Sequence, residues 1–291
     1  MPPNNLRGIA YMVFAVGTFA VMDAALKLLT PFYPPLQIAA LRGLVALPII
    51  IVWVGFAGGY AQLLRVRWPL HIGRGVLAVL MLTSFAYGLK RMPLASAYAV
   101  FFVSPLLITL LSALLLKEKV GRAHWIAIAI GFVGVMVVLR PTGNGLMSSA
   151  GLMVLTSAAC YALSAISVRV LARTDSTSSM MFWMIAMLSI GATALAWPAW
   201  QPLQMDHWRI LLVIAITGSV AQYAVTEAFR HAQAAVAAPF EYTALAWGMG
   251  LDWWLWKTLP DRWVFIGAAI IIASGIYLLQ HEQQHVEAEH P

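Results

Sequence analysis

Charged residues are scarce in this chain. Asp, Glu, Lys and Arg make up 10% of the 291 residues, whereas hydrophobic types make up 62%. Soluble domains carry roughly 25% charged residues, because a water-facing surface needs them. The composition therefore excludes a soluble globular protein, and it also excludes an intrinsically disordered one.

Cysteine and the common catalytic motifs are also scarce or missing. The single cysteine, Cys160, can form neither a disulfide within the chain nor a CxxC metal site. The patterns HExxH, GxSxG, GxGxxG and Walker A do not occur, which argues against a zinc peptidase, a serine hydrolase and a nucleotide-binding protein. His281 and His285 fit a solvated tail better than a metal site. We predict no metal site and no cofactor.

Long apolar stretches account for most of the chain, and its mean hydropathy is +0.82. Because about twenty residues cross a bilayer as a helix, about ten such stretches fit, with short loops between them. We predict an all-α polytopic membrane protein with ten transmembrane helices. The expected segments are about Leu6–Leu29, Leu36–Ala57, Leu70–Leu89, Leu94–Leu116, Arg122–Arg140, Ser149–Leu171, Ser178–Ala199, Trp208–Arg230, Ala234–Trp256 and Arg262–Gln280.

Basic residues set the expected orientation. The net charge of +7 fits side chains beside anionic lipid better than a nucleic-acid partner, so we predict no nucleic acid binding. The clusters Arg65/Arg67 and Lys117/Lys119/Arg122 lie in the cytoplasm if the N-terminus does. We therefore predict that both termini are cytoplasmic.

An internal repeat separates similar segments by about 140 residues. The stretch from Gly8 to Lys27 resembles that from Gly151 to Arg169, and residues 124–135 resemble 264–276. Shared Gly/Ala richness is the competing explanation. Five helices per half is an odd number, so the second half enters the membrane from the opposite face, as in many secondary transporters. The predicted division is 6–141 for the first five-helix repeat, 148–280 for the second, inverted repeat, and 281–291 for a cytoplasmic tail.

Several short motifs then carry a resemblance to a known family. They are Pro-Leu-Ala-Ser-Ala at Pro93–Ala97, Ser104-Pro105, Leu-Leu-Leu-Lys-Glu-Lys at Leu114–Lys119, and Arg42. In these the chain resembles EamA-type carriers of the drug/metabolite transporter superfamily, and more narrowly YddG-type exporters of aromatic amino acids. The resemblance implies ten helices and export of small metabolites across the bacterial inner membrane.

Carboxylates inside apolar segments are candidates for function, because an ionisable group at membrane depth costs roughly 2.5–3.5 kcal/mol by insertion scales. Glu241 and Glu227 are the two candidates, each able to bind a substrate ammonium or to take up a coupling proton. Alternatively, Glu227 pairs with Arg230 and Glu241 bonds to a neighbouring helix. Asp23 is expected to pair with Lys27, four residues on, or with Arg42.

Aromatic residues complete the predicted substrate site, since their rings can stack on a flat apolar substrate. Pro105 and Pro239 are predicted hinges, because proline interrupts helical hydrogen bonding; ordinary helix packing is the alternative for the fourth segment. Close helix packing is expected at Gly131, Gly134, Gly248 and Gly250. The predicted substrate-binding residues are Tyr87, Tyr98, Phe101, Tyr161, Tyr223, Glu227, Glu241, Tyr242 and Trp247.

These patterns favour a secondary carrier over an enzyme. We expect export of small amphipathic metabolites, most plausibly aromatic or apolar amino acids, by alternating access. Cationic drugs and sugars are alternative substrates, and protons are a candidate coupling ion. An enzyme acting on lipid-linked substrates and a passive channel fit less well, since we find neither a polar cluster at one interface nor a continuous polar stripe. The expected partners are the substrate and the bilayer, and a monomer is favoured.

Overall fold

The computed structural model describes residues 5–56, 59–64, 66–115, 122–139, 149–171, 173–231 and 238–289, and their regular structure is helical throughout. Short 3₁₀ turns and one π-turn, Asp252–Trp256, supplement the α-helices. The α-helices are Asn5–Leu29 (α1), Pro35–Phe56 (α2), Trp68–Leu89 (α3), Leu94–Phe101 (α4), Ser104–Leu115 (α5), Arg122–Leu139 (α6), Ser149–Leu171 (α7), Thr177–Ala196 (α8), Trp208–His231 (α9), Ala244–Leu251 (α10) and Arg262–Glu289 (α11).

Many of these helices have the dimensions of membrane spans. Within the described residues, seven helical stretches are long and apolar enough to cross a bilayer, one of them combining α4 and α5. Two shorter apolar helices, Trp125–Val138 and Arg262–Tyr277, lie within α6 and α11. Large apolar side chains such as Val52, Phe56 and Val76 are exposed on the outer surface, where lipid rather than water would solvate them. The prediction of an all-helical, multi-pass membrane protein is confirmed.

The fourth predicted segment is broken into two helices. α4 ends at Phe101, and α5 begins at Ser104. Between them Val103 N–H donates to the Val100 carbonyl over 3.2 Å in a tightened turn. Pro105 follows at once and has no N–H to bond the carbonyl four residues back. The break therefore lies at the position where the sequence predicted a hinge, although hinge motion itself remains a prediction.

The ninth predicted segment is not a single α-helix. It begins as a 3₁₀ turn, Ala238–Thr243, continues as α10 and ends in the π-turn. Pro239 lies in that first turn, and a residue without an N–H favours such an irregular helix start. After the π-turn the chain reverses at Lys257, whose φ of 54° is left-handed.

Helices from the first and second parts of the chain pack on one another. α1 lies along α9, α3 along α7, α2 against α8 and α6 against α11. The main core lies between α1, α3 and α4, with Leu26, Leu89 and Leu94 fully or almost fully buried. We call the end of the bundle where α1 ends and α4 begins the Lys27 end. The end where α3 and α8 begin is the His71 end, about 33 Å away along the 22 residues of α3.

Small residues allow some of these helices to approach closely. A Cβ atom on Gly134 would lie 2.7 Å from Ile271 Cγ1 and 2.9 Å from the Gly267 carbonyl oxygen, so α6 and α11 meet nearly backbone to backbone. Gly131 and Gly248 are also crowded by neighbouring side chains. The prediction is therefore confirmed at these three glycines. It is wrong at Gly250, where an added Cβ would meet nothing within 4 Å.

Candidate functional site

A row of aromatic rings runs from α4 to α7. The rings of Tyr98 and Phe85 stack at 6.4 Å between centroids, Phe85 meets Phe101 at 5.7 Å, and Phe101 meets Tyr161 at 5.4 Å. Tyr98 is buried, whereas Tyr161 is 39% exposed. The row thus connects the core of the first part of the chain to an accessible ring in the second part.

Glu241 lies beside the accessible end of this row. Its half-buried carboxylate is close enough to interact electrostatically with Tyr161 of α7 and with its neighbour Tyr242. Tyr242 is buried, and its ring meets Phe102 edge-on at 5.1 Å between centroids. Among the described residues, we find no hydrogen bond or ion pair that satisfies the Glu241 carboxylate. A carboxylate without a partner among aromatic rings is suited to bind a cationic group.

The structure brings together five of the predicted substrate-binding residues and separates the others. Tyr98, Phe101, Tyr161, Glu241 and Tyr242 form the cluster described above, which we call the Glu241 cluster. The remaining four predicted residues lie outside this cluster: Tyr87, Tyr223, Glu227 and Trp247.

Each of these outlying residues has a different environment. Tyr223 is 58% exposed on α9, and Trp247 is 44% exposed with its ring against Gly17 of α1. Tyr87 lies near the end of α3 and bonds Ser149. Within the described part of the chain, no hydrogen bond or ring contact joins any of these three side chains to the Glu241 cluster, so their assignment to the substrate site stays a prediction.

Glu227 is buried on α9 and faces His231 one turn later. Its Oε2 lies 3.7 Å from His231 Nδ1, and the His231 ring meets the Tyr11 ring of α1 at 5.5 Å between centroids. The side chain of Arg230, the alternative partner, lies outside the described residues. Glu227 therefore has a local partner, unlike Glu241, and its part in substrate binding stays a prediction.

Asp23 bonds across helices rather than along its own. The Tyr98 hydroxyl donates to Asp23 Oδ2 over 2.8 Å, and Asp23 also attracts the guanidinium of Arg42 on α2. The expected pairing of Asp23 with Lys27 is wrong, because Lys27 bonds to Asp252 instead. Asp23 thereby fixes the position of the first ring in the aromatic row.

Asp252 is a functional candidate that the sequence reasoning missed. Its fully buried carboxylate accepts hydrogen bonds from Lys27 Nζ at 2.8 Å, from Leu94 N–H at 3.0 Å and from Ala95 N–H at 2.9 Å. It thus caps the N-terminus of α4 from the π-turn, where a negative charge is favoured. An aspartate inside an apolar segment was the signal that could have revealed it. We call Lys27, Asp252 and the two N–H groups the Lys27 latch.

At the other end of the bundle, Asp175 links the α7–α8 connection to α3. Its carboxylate accepts hydrogen bonds from Thr174 Oγ1 (2.7 Å), His71 Nε2 (2.8 Å) and Arg67 N–H (3.2 Å). Burial by itself would raise the pKa of Asp175, but these hydrogen bonds and the attraction of His71 together lower it below the ordinary 3.8.

Asp175→Asn should therefore destabilise the protein in a pH-dependent way. A lowered folded-state pKa means that the ionised carboxylate stabilises the fold above pH 3.8 and loses that effect as the pH falls through the folded value. We expect a melting temperature about 3–6 °C below wild type at pH 7, converging with it in strong acid. Thermal unfolding in detergent checks this, with exposed Asp206→Asn as control. A difference that is constant with pH would contradict the assignment.

Within the part of the chain that the structure describes, no three His, Cys, Asp or Glu side chains come together as ligands would. What the cluster offers is an aromatic surface with one carboxylate.

Comparison with known proteins decides the family. The EamA-like transporter family matches residues 6–140 and again residues 148–280. The chain belongs to the EamA-like transporter family. Because the family matches the chain twice, the match also accounts for the internal similarity seen in the sequence. This EamA-like protein is therefore a membrane transporter of small metabolites rather than an enzyme.

Named relatives cover nearly the whole chain. The pseudopaline exporter CntI of Pseudomonas aeruginosa is 28% identical over 93% of this chain and 95% of its own length. The riboflavin transporter of Vibrio cholerae is 27% identical over 98% and 97%. The S-adenosylmethionine uptake transporter of Rickettsia prowazekii is 24% identical over 98% and 96%. A crystal structure with 19% identity superimposes with a TM-score of 0.63, covering 96% of this chain and 97% of that one, which bears on the fold alone.

Proposed function

We propose that this EamA-like protein exports small amphipathic metabolites, with aromatic or apolar amino acids as the leading class, by alternating access across the bacterial inner membrane. The observation that carries the proposal is the Glu241 cluster. Its carboxylate has no partner among the described residues and faces Tyr161 and Tyr242. An amino acid would place its ammonium on Glu241 and its apolar side chain against the rings.

The packing of the helices supports two halves related by an inverted repeat. A shift of about 140 residues places α1 of the first half on α7 of the second half, and α3 on α9. Exchanging the halves therefore converts the contact of α1 with α9 into a contact of α7 with α3, and both contacts are present. The contacts of α2 with α8 and of α6 with α11 each map onto themselves. We propose halves at 6–141 and 148–280, followed by a cytoplasmic tail at 281–291, within which α11 continues to Glu289.

Hydrogen bonds at the two ends of the bundle support the same relation. At the Lys27 end, Tyr33 of the α1–α2 connection bonds His207 before α9 over 2.7 Å. At the His71 end, Asp175 of the α7–α8 connection bonds His71 of α3 over 2.8 Å. The positions correspond under a shift of about 140 residues, yet they lie at opposite ends of the helices. An inverted repeat requires this reversal.

Alternating access would then use the two broken segments as moving parts. α4 and α5 meet at a tightened turn before Pro105, and the ninth segment starts as a 3₁₀ turn containing Pro239. Both breaks adjoin the Glu241 cluster, so bending at either would change access to Glu241. We propose Pro105 and Pro239 as hinges, with the N-terminus on the cytoplasmic side and the Lys27 end outside.

A cationic compound is the second candidate substrate. The same carboxylate without a partner would favour a ligand with a net positive charge over a neutral one. The relatives named above extend to transporters of riboflavin and of S-adenosylmethionine, an aromatic compound and a cationic one. Their names include both export and uptake, so the direction is part of this proposal.

Transport by purified protein in liposomes tests the proposal. Labelled tryptophan, phenylalanine and threonine are compared with a quaternary ammonium compound, each with and without a pH gradient. We expect saturable flux of tryptophan and phenylalanine, and a weaker flux of threonine. No amino acid flux beside normal flux of the quaternary ammonium would replace the leading substrate class by the second candidate.

A further inference from the structure

A separate cleft of about 390 Å³ opens at the Lys27 end of the bundle. The proline-rich connection Pro31–Pro35 forms one wall, and Tyr87, Lys90 and Arg91 at the end of α3 form another, with Gln201 at the edge. Tyr33 is buried and bonds to His207 and to Gln204 N–H. The first wall is therefore held in place by prolines and hydrogen bonds.

The charge of this cleft is opposite to that of the Glu241 cluster. Of the described residues, Lys90 and Arg91 are its charged lining residues, and no described Asp or Glu lines it. Among the described residues, neither cation has an acidic partner. The Arg91 guanidinium lies 3.9 Å from the centroid of the Tyr87 ring, and the Tyr87 hydroxyl donates to Ser149 Oγ over 3.1 Å. The hydrogen bond to Ser149 therefore fixes the Tyr87 ring, and that ring in turn positions the Arg91 guanidinium.

We propose that this cleft is a binding site for a small aromatic anion. Arg91 offers a planar pair of donors for a carboxylate or phosphate, and Lys90 adds a second positive charge. The half-exposed Phe32 ring and the Tyr87 ring supply the apolar faces against which the ligand ring lies. This site is independent of Glu241 and selects the opposite charge, so it goes beyond the transport function proposed above.

Ligand binding to the full-length protein in zwitterionic nanodiscs tests the proposal by calorimetry. Benzoate and phenyl phosphate are the probes, with benzylamine as the cationic and acetate as the ringless comparison. In the Glu241→Gln variant, which lacks the proposed ammonium site, we expect both anionic aromatic probes to bind at least tenfold more tightly than either comparison. The double variant Lys90→Gln/Arg91→Gln should lose at least tenfold in affinity for them, and Tyr87→Leu should lose several-fold.

Arg262→Gln is the matched control, because Arg262 also lies near a ring, 5.5 Å from the centroid of Trp263, but outside the cleft. Both Arg262→Gln and Glu241→Gln should bind benzoate as wild type does, which separates this site from the transport site. Unchanged binding by the double variant, or equal binding of benzylamine by Glu241→Gln, would overturn the proposal. The proposal would also be overturned if wild type lost benzoate binding in phosphatidylglycerol nanodiscs and retained this lipid while the double variant did not. The occupant of the cleft would then be a lipid headgroup.

Discussion

Replacing Glu241 with glutamine is expected to reduce the rate of amino acid transport about 10–100-fold and to abolish any dependence on a pH gradient. The amide keeps the size of the side chain but carries no charge, so it loses the charge-assisted hydrogen bond to an ammonium, worth about 1.5–3 kcal/mol. It also cannot take up and release a proton in exchange for substrate. Initial rates in liposomes, with and without the gradient, measure both effects.

The variant should fold, because the carboxylate it removes has no hydrogen bond or ion pair within the described part of the chain. A melting temperature within about 2 °C of wild type would establish this. Asp206→Asn removes a carboxylate that is exposed near the start of α9 and should transport normally. If Glu241→Gln keeps the wild-type rate and pH response, Glu241 has a structural role and the proposed substrate contact is wrong.

Replacing Asp252 with asparagine should lower the stability of the fold more than the substitutions of Asp175 and Glu241 described above. Asp252 is fully buried, and the Lys27 side chain is 11% exposed, so the variant leaves a buried ammonium without its counter-ion. Removing one partner of such a pair costs about 3–5 kcal/mol. For a chain of this size we expect a fall in melting temperature of about 10 °C. Unfolding followed by tryptophan fluorescence in detergent measures it.

A second variant separates the ion pair from the helix cap. Lys27→Met in the Asp252→Asn background removes the stranded charge, while the asparagine oxygen can still accept an N–H from the start of α4. The double variant should therefore recover part of the lost stability. If Asp252→Asn melts within about 2 °C of wild type, the Lys27 latch contributes little and the account of this end of the bundle is wrong.

The latch also connects stability to the proposed transport cycle. It joins α1, the start of α4 and the π-turn that follows α10. Two of these parts, α4 and the ninth segment, are those that we propose to move, so opening of the Lys27 end would require these hydrogen bonds to break. Weakening the latch should therefore raise the reactivity of a cysteine placed at Ser96, in a variant without Cys160, toward a reagent added from that side.

The main features of the fold could be predicted from the sequence because they depend on composition and length. Apolar stretches of about twenty residues specify helices wherever they occur, and α1, α2 and α3 follow the predicted segments closely. The ninth segment could not be predicted in this way. Its apolar composition indicates a membrane segment but not its irregular backbone, since its 3₁₀ and π-turns depend on Pro239, on the reversal at Lys257 and on the bonds to Asp252.

The candidate site was predicted only in part, because local spacing does not reveal tertiary partners. Lys27 is four residues from Asp23, but its actual partner, Asp252, is 225 residues away. Glu241 and Tyr161 were both chosen as residues with functional side chains in apolar segments, and their proximity arises from tertiary packing within the second half. Tyr87 had the same sequence signal, yet it lies at the end of α3 because the segment ends only two residues later, at Leu89.

The inverted arrangement of the two halves is the central claim, since alternating access around Glu241 depends on it. Topology reporters attached at the N-terminus and within the connection between residues 141 and 148 test it directly. An odd number of crossings in the first half requires the two reporters to lie on opposite sides of the membrane, with the N-terminal one in the cytoplasm. Reporters that both respond from the same side would contradict the inverted repeat and the transport mechanism based on it.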